Sequence, residues 1–255
     1  MKIMIRRNIR RRALIIQNPG EAKDFRGGVL KDVSNFSKFL RSNIGGGWDN
    51  DEITIAPIDC DVSWIEDYYK KTADNTDYYL LLFTGHGSYD EENGPKCYLM
   101  NDEWFSHAWL EGQVCGVPTL FLTDSCQGID NLNEGGTIGQ RIFSTTRDSS
   151  RKSLYRERYD KVLRSLPKGM FVVGSSVSHG EYADENPNVG GFYVSSLILE
   201  AKQLNSNLSA KSGVYGIGYL HMLAAEKVRI LSKDKQNPYL EGYNRSFQPP
   251  FMVKL

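Results

Sequence analysis

The segments 78–88, YYLLLFTGHGS, and 117–128, VPTLFLTDSCQG, decide how this chain is read. Each carries an apolar run that passes directly into small and polar residues. An unbroken apolar run, without the alternation of a half-exposed strand, marks a strand buried on both faces of a parallel sheet. In such sheets, ligands sit beyond the carboxyl ends of the strands. If the two strands are neighbours, His86 and Cys126 emerge together on that rim.

Working outward from these runs, short strands alternate with helices. Residues 12–17 (RALIIQ) read as a first strand, closed by the turn residues Asn18, Pro19 and Gly20. Val29, Val33, Phe36 and Leu40 recur at helical spacing, and three glycines at 45–47 stop the helix. A strand at 53–58 (ITIAPI), a helix at 62–71 capped by Asp61, local pairing at 98–100 and a helix at 103–113 follow. Beyond Cys126 the pattern breaks. Residues 127–168 are polar and charged, and the segment reads as a flexible loop. Structure resumes with a strand at 169–174, helices at 191–203 and 215–231, and a last edge strand at 251–255 (FMVKL). The expected fold is α/β: a mainly parallel central sheet of about six strands with helices on both faces. A single domain spans 1–255, with halves 1–126 and 169–255 meeting around the 127–168 loop.

Composition excludes more than it selects. Lys plus Arg and Asp plus Glu both number 31 in 255 residues, so overall charge favours no partner. The basic start (Lys2, Arg6, Arg7, Arg10, Arg11, Arg12) lacks aromatic platforms or a nucleic-acid motif and reads as a solvated tail. No apolar run approaches the length of a membrane helix. The start also lacks a signal-peptide pattern. A soluble, intracellular and cytoplasmic protein is expected, with no nucleic-acid or membrane partner. Cys60, Cys97, Cys115 and Cys126 are dispersed, which fits a reducing compartment better than a disulfide framework or zinc site.

A thiol becomes a nucleophile as the thiolate, and imidazole is its usual activating base and later acid. Glycines flanking His86 let the backbone turn tightly. The amides of Gly87 and Cys126 are candidates for an oxyanion hole. Taken singly, a cysteine after a strand is a small core residue, and Gly-His-Gly is a turn. Their joint placement on successive strands points to a nucleophile and its acid/base partner.

Gly-His-Gly after one strand and Asp-Ser-Cys after the next resemble the caspase-like peptidases, and Asp124-Ser125-Cys126 is most similar to metacaspases and paracaspases. The resemblance implies a caspase-like sandwich, a Cys126/His86 dyad, oxyanion stabilisation by Gly87 and Cys126, and protein or peptide substrates. Metacaspases often place a histidine after the cysteine, where this chain has Gln127.

In the resemblance, charge in the pocket for the residue before the cut sets specificity. Asp124 stands where caspases use a glutamine, and Asp32 where metacaspases place an acid. Asp184 and Glu185 replace a basic caspase segment. Buried carboxylates would pair with Arg or Lys. Arg26, in an Arg-x-Gly-x-x-x-Asp pattern, resembles a caspase pocket arginine and points the other way. The surface reading of Asp32, Asp184 and Glu185 stays open. Cleavage after Arg or Lys is expected, with self-cleavage in the Arg- and Lys-bearing 127–168 segment. The alternatives are Asp-specific cleavage and a catalytically silent relative acting through protein interaction. A separase-like peptidase and a dinucleotide binder fit the motifs less well.

No cofactor is expected. A calcium site would use Asp102, Glu103 and Asp130, but the six to eight oxygen donors calcium takes cannot be assembled from them. His107 and His221 read as structural, and His179 as a candidate pocket residue. Oligomeric state stays open.

Overall fold

The computed structural model describes residues 8–21, 26–127 and 151–255. Strand β1 (Arg11–Asn18) leads to helix α1 (Gly27–Arg41), β2 (Ile53–Ile55), α2 (Val62–Thr72) and β3 (Tyr78–Gly85). The chain then folds a small antiparallel sheet of β4 (Gly87–Asp90), β5 (Gly94–Tyr98) and β6 (Trp104–Ser106) before α3 (His107–Gln113) and β7 (Thr119–Ser125). After α4 (Lys152–Leu163) come β8 (Phe171–Ser175), the two-residue strands β9 (Glu185–Asn186) and β10 (Gly190–Gly191), and α5 (Phe192–Ser206). The last elements are β11 (Gly213–Gly216), α6 (Ile217–Ser232), β12 (Tyr239–Glu241) and β13 (Pro250–Lys254).

The central sheet has six strands in the order β12-β8-β7-β3-β1-β2, and only β12 runs antiparallel to its neighbour. Alternating side chains feed two cores. Ala13, Ile15, Leu80, Leu82, Leu120 and Leu122 face α1, α4, α5 and α6; Leu14, Ile16, Leu81, Phe83 and Phe121 face α2 and α3. Each fully buried Leu, Ile or Phe contributes roughly 1.5–3 kcal/mol of transfer free energy. The expected α/β architecture therefore holds.

Several boundaries differ from expectation, each for a local reason. The strand expected at 53–58 ends at Ile55, ahead of Pro57, and Ile58 is exposed. The helix expected from 103 starts at His107, because Trp104–Ser106 pairs with β5, and Ser106 Oγ accepts from Trp109 N (3.1 Å) to cap the helix. Local pairing falls on Gly94–Tyr98 in place of 98–100. The last strand does not edge the central sheet: β13 pairs with β11, and β12 takes the edge.

Within the segment read as a loop, Lys152–Leu163 is helical, whereas 128–150 lie outside the described residues. Tyr155, Tyr159 and Leu163, four apart, pack α4 onto the core. Its charges also have partners. Arg11, 1 % exposed, donates to Asp160 Oδ1 (3.0 Å) and Glu52 Oε1 (3.3 Å), with its guanidinium 4.4 Å from the Trp48 ring centroid. This contact ties β1 to α4. Removing Arg11 leaves Glu52 and Asp160 to share Arg156 and opens a hole beside Trp48, so Arg11→Ala is expected to cost about 3 kcal/mol, read as a melting temperature lower by roughly 6–12 °C. Among the described residues, no helix is long and apolar enough to cross a membrane.

Candidate active site

The register of the central strands builds the rim. Gly85 pairs with Ser125 at the ends of β3 and β7, so His86 and Cys126 are the next residues on strands about 4.8 Å apart. Gly85 adopts φ +144° with its Cα hydrogens against the Asn18 backbone, a place no side chain fits. The His86 carbonyl accepts from Tyr98 N (3.1 Å), which fixes the chain where it enters β4. A Cβ on Gly87 would lie 2.7 Å from the Cys126 carbonyl oxygen and 2.9 Å from Ser125 Oγ. The backbones of the two candidate oxyanion residues thus lie against one another.

Cys126 is 6 % exposed and sits in a small apolar cluster with Val177 and Ala183. Its Sγ faces the Ala183 carbonyl oxygen (3.8 Å) and accepts from Arg26 Nη2 (3.5 Å). The chain beyond is clamped. Gln127 N donates to the Glu181 carbonyl and Gly180 N to the Gln127 carbonyl, both at 2.9 Å. Gln127 Nε2 reaches Ser175 Oγ (2.6 Å), while Ser125 N donates to Ser176 Oγ (3.1 Å). Gln127, where a second histidine is common in the resembling group, therefore anchors the loop that presents the thiol.

Beside the thiol lies a small pocket lined by Arg26, Val29, Asp32, Thr84, Gly85, Asp124, Ala183, Asp184, Glu185 and Gly191. The five residues singled out in sequence for substrate binding are brought together there. Asp32, 1 % exposed, accepts from Thr84 Oγ1 (2.8 Å) and from Gly191 N (3.0 Å to each oxygen). Asp124, 5 % exposed, accepts from Val194 N (2.9 Å) and so caps α5 from a neighbouring strand. Glu185 Oε1 accepts from Gly28 N (3.3 Å).

Burial dominates the electrostatics. It pushes the Asp124 carboxyl up to about 7, with Glu185 adding repulsion and the Val194 amide opposing. Burial, then the Asp124 charge, raises Asp32 well above the carboxylate range against its bonds to Gly191 and Thr84. Glu185 is raised by burial and held back by the Gly28 amide and the Arg26 charge.

Residues the motif reading did not single out complete the pocket. Thr84 and Gly191, the latter preceded by Gly190 against Asp32, lack chemical signatures of their own. The double glycine was the available signal: side chains at these positions would collide with the carboxylates of Asp32 and Asp124. His179 is not among the lining residues; it stacks on Tyr89 (ring centroids 4.2 Å apart). His107 and His221 are held near 4 by burial, in accord with structural roles. Burial likewise raises the Cys60 thiol to about 11 and raises the Cys97 thiol well above its ordinary value, whereas Cys115 is exposed. Of the calcium candidates, Glu103 accepts from Val62 N (2.7 Å) at the start of α2, and Asp130 is outside the described residues. Among the described residues, no three His, Cys, Asp or Glu side chains gather where they could hold a metal ion.

The profile of the caspase domain matches residues 10–246. No curated protein matches the chain. Among solved structures, the crystal structure of caspase-1 from Spodoptera frugiperda is similar, with a TM-score of 0.57 and 20 % identity over 91 % of this chain and 87 % of that one. At that identity the likeness concerns the fold.

Proposed function

Because the chain belongs to the caspase-domain family, we propose that it is a cysteine endopeptidase that cleaves after Arg or Lys, as metacaspases and paracaspases do. Cys126 attacks the substrate carbonyl carbon as the thiolate. The amides of Gly87 and Cys126 stabilise the oxyanion, and His86 protonates the leaving amine. Water then hydrolyses the thioester, with His86 taking its proton. Protein or peptide chains are the substrates, and Arg141 or Arg147 in the linker are candidate self-cleavage points.

The observation that carries the specificity is the pair of buried carboxyls, Asp32 and Asp124, in one pocket beside Cys126. A guanidinium or ammonium entering the pocket gains charge-assisted bonds, whereas an Asp side chain meets repulsion. Cleavage after Asp is the second reading, favoured by Arg26 in the same pocket. Paired fluorogenic peptides ending in Arg, Lys or Asp, assayed with and without calcium beside Cys126→Ala, separate the readings. Cleavage after Asp alone overturns the Arg/Lys reading; no cleavage by intact or linker-cut protein points to a silent relative.

The carboxyl pair also predicts opposed responses to pH. Binding a cationic residue requires the ionised form, so KM for an Arg peptide should fall as pH rises through about 7. Stability runs the other way. An acid whose folded pKa is raised favours folding most below its unfolded pKa and loses that contribution as pH climbs through the folded value. The melting temperature should therefore decline between about pH 4 and 7, and less steeply in Asp124→Asn, measured by calorimetry.

A further inference from the structure

Arg26 is the one cation among the described residues that line the pocket. Its backbone is fixed: the amide donates to the Pro19 carbonyl (2.6 Å), and its own carbonyl accepts from Val29 N (3.2 Å) at the start of α1. Its side chain lines the pocket and brings Nη2 within 3.5 Å of Cys126 Sγ. For attack, a substrate carbonyl carbon must approach that sulfur to about 3–3.5 Å. The guanidinium therefore stands in the shell around the thiol that the scissile residue has to enter. Its charge also acts on Glu185. A guanidinium among carboxylates beside the nucleophile has the chemistry of the substrate residue itself.

We propose that Arg26 is a built-in competitor of the substrate: its side chain holds the place of the cleaved Arg or Lys and must swing out before that residue can bind. The inference rests on the Arg/Lys reading of the pocket. Displacement requires only side-chain torsions, because the backbone stays anchored at Pro19 and Val29. It precedes both the bound complex and the transition state, so its cost falls on KM and leaves kcat unchanged. If the inward rotamer holds nine-tenths of the molecules, apparent affinity is reduced about tenfold.

The test compares wild type, Arg26→Gln and Arg26→Lys on an Arg-ending peptide, with melting temperatures to establish folding. Benzamidine binding to the same variants on a Cys126→Ala background, measured by calorimetry, gives a readout independent of turnover. The expected result is a KM and a benzamidine Kd about tenfold lower in Arg26→Gln, with kcat unchanged and Arg26→Lys returning towards wild type. Unchanged KM and Kd with Arg cleavage intact would overturn the competitor role and leave the proposed specificity standing. A fall in kcat with KM unmoved would likewise overturn it, assigning Arg26 to the thiolate. Cleavage after Asp that disappears in Arg26→Gln would overturn the inference together with the Arg/Lys reading.

Discussion

Cys126→Ala is expected to abolish peptide cleavage, lowering kcat/KM by about 10⁵-fold or more, because the covalent intermediate forms on its sulfur. His86→Ala should cost about 10³-fold, the range of a positioned acid/base. The two losses should not add: without the thiol there is nothing for the imidazole to activate, so the double variant should match Cys126→Ala. Folding should be spared. Cys126 sits in a small apolar cluster with Val177 and Ala183, and its sulfur lies at long range from Arg26 Nη2 (3.5 Å) and the Ala183 carbonyl oxygen (3.8 Å), so replacing it with hydrogen removes little. The backbone clamp from Gln127 to Gly180 and Glu181 is untouched. Active-site titration with an alkylating peptide gives the check. One equivalent should label wild type and none Cys126→Ala, while equal melting temperatures exclude unfolding. Labelling that persists in the variant would move the nucleophile to another cysteine, of which Cys115 is the exposed one.

The central strands were legible because burial on both faces leaves one solution for a run such as 78–83, and because the polar residues that follow such runs must leave the sheet at its rim. Pairing of Gly85 with Ser125 then made His86 and Cys126 adjacent without any long-range signal. The pocket acids were legible only through their resemblance to a known arrangement. The spacing of α1 sets Asp32 on the same stripe as Val29, Val33 and Phe36 but says nothing of what it bonds there, since its partners, Thr84 and Gly191, are 52 and 159 residues away. Helix α4 was hidden by its own charge. A segment with so many Arg and Lys reads as solvated until Asp49 and Glu52, from distant parts of the chain, supply countercharges to Lys152 and Arg156, and Arg11 supplies one to Asp160. The exchange of β13 for β12 at the sheet edge was beyond reach as well. Both are short strands, and their partners, β8 for β12 and β11 for β13, lie far away along the chain.

Asp124→Asn should lower kcat/KM for Arg and Lys peptides by about 10²–10³-fold, the loss expected when one partner of a buried charge pair is neutralised. The side chain has two roles: it offers charge to the pocket and caps α5 through Val194 N. Asparagine separates them. Its carbonyl oxygen still accepts from Val194 at nearly the same volume, and Gly191 leaves room for either terminus. Loss of a carboxyl held near neutrality by burial should also relieve the repulsion that raises Asp32. Asp124→Asn should therefore melt no lower than wild type above about pH 7, whereas Asp124→Ala, which leaves the α5 amide without its cap, should lose about 1 kcal/mol. Activity in the two variants then discriminates. If both lose Arg cleavage equally while only the alanine variant loses stability, the charge itself recognises the substrate. If asparagine retains full activity, Asp124 serves α5 alone and the pocket's selectivity passes to Asp32 and Glu185. If asparagine instead admits Asp-ending peptides, Arg26 has become the dominant charge in the pocket, and one carboxyl was all that stood between the two specificities.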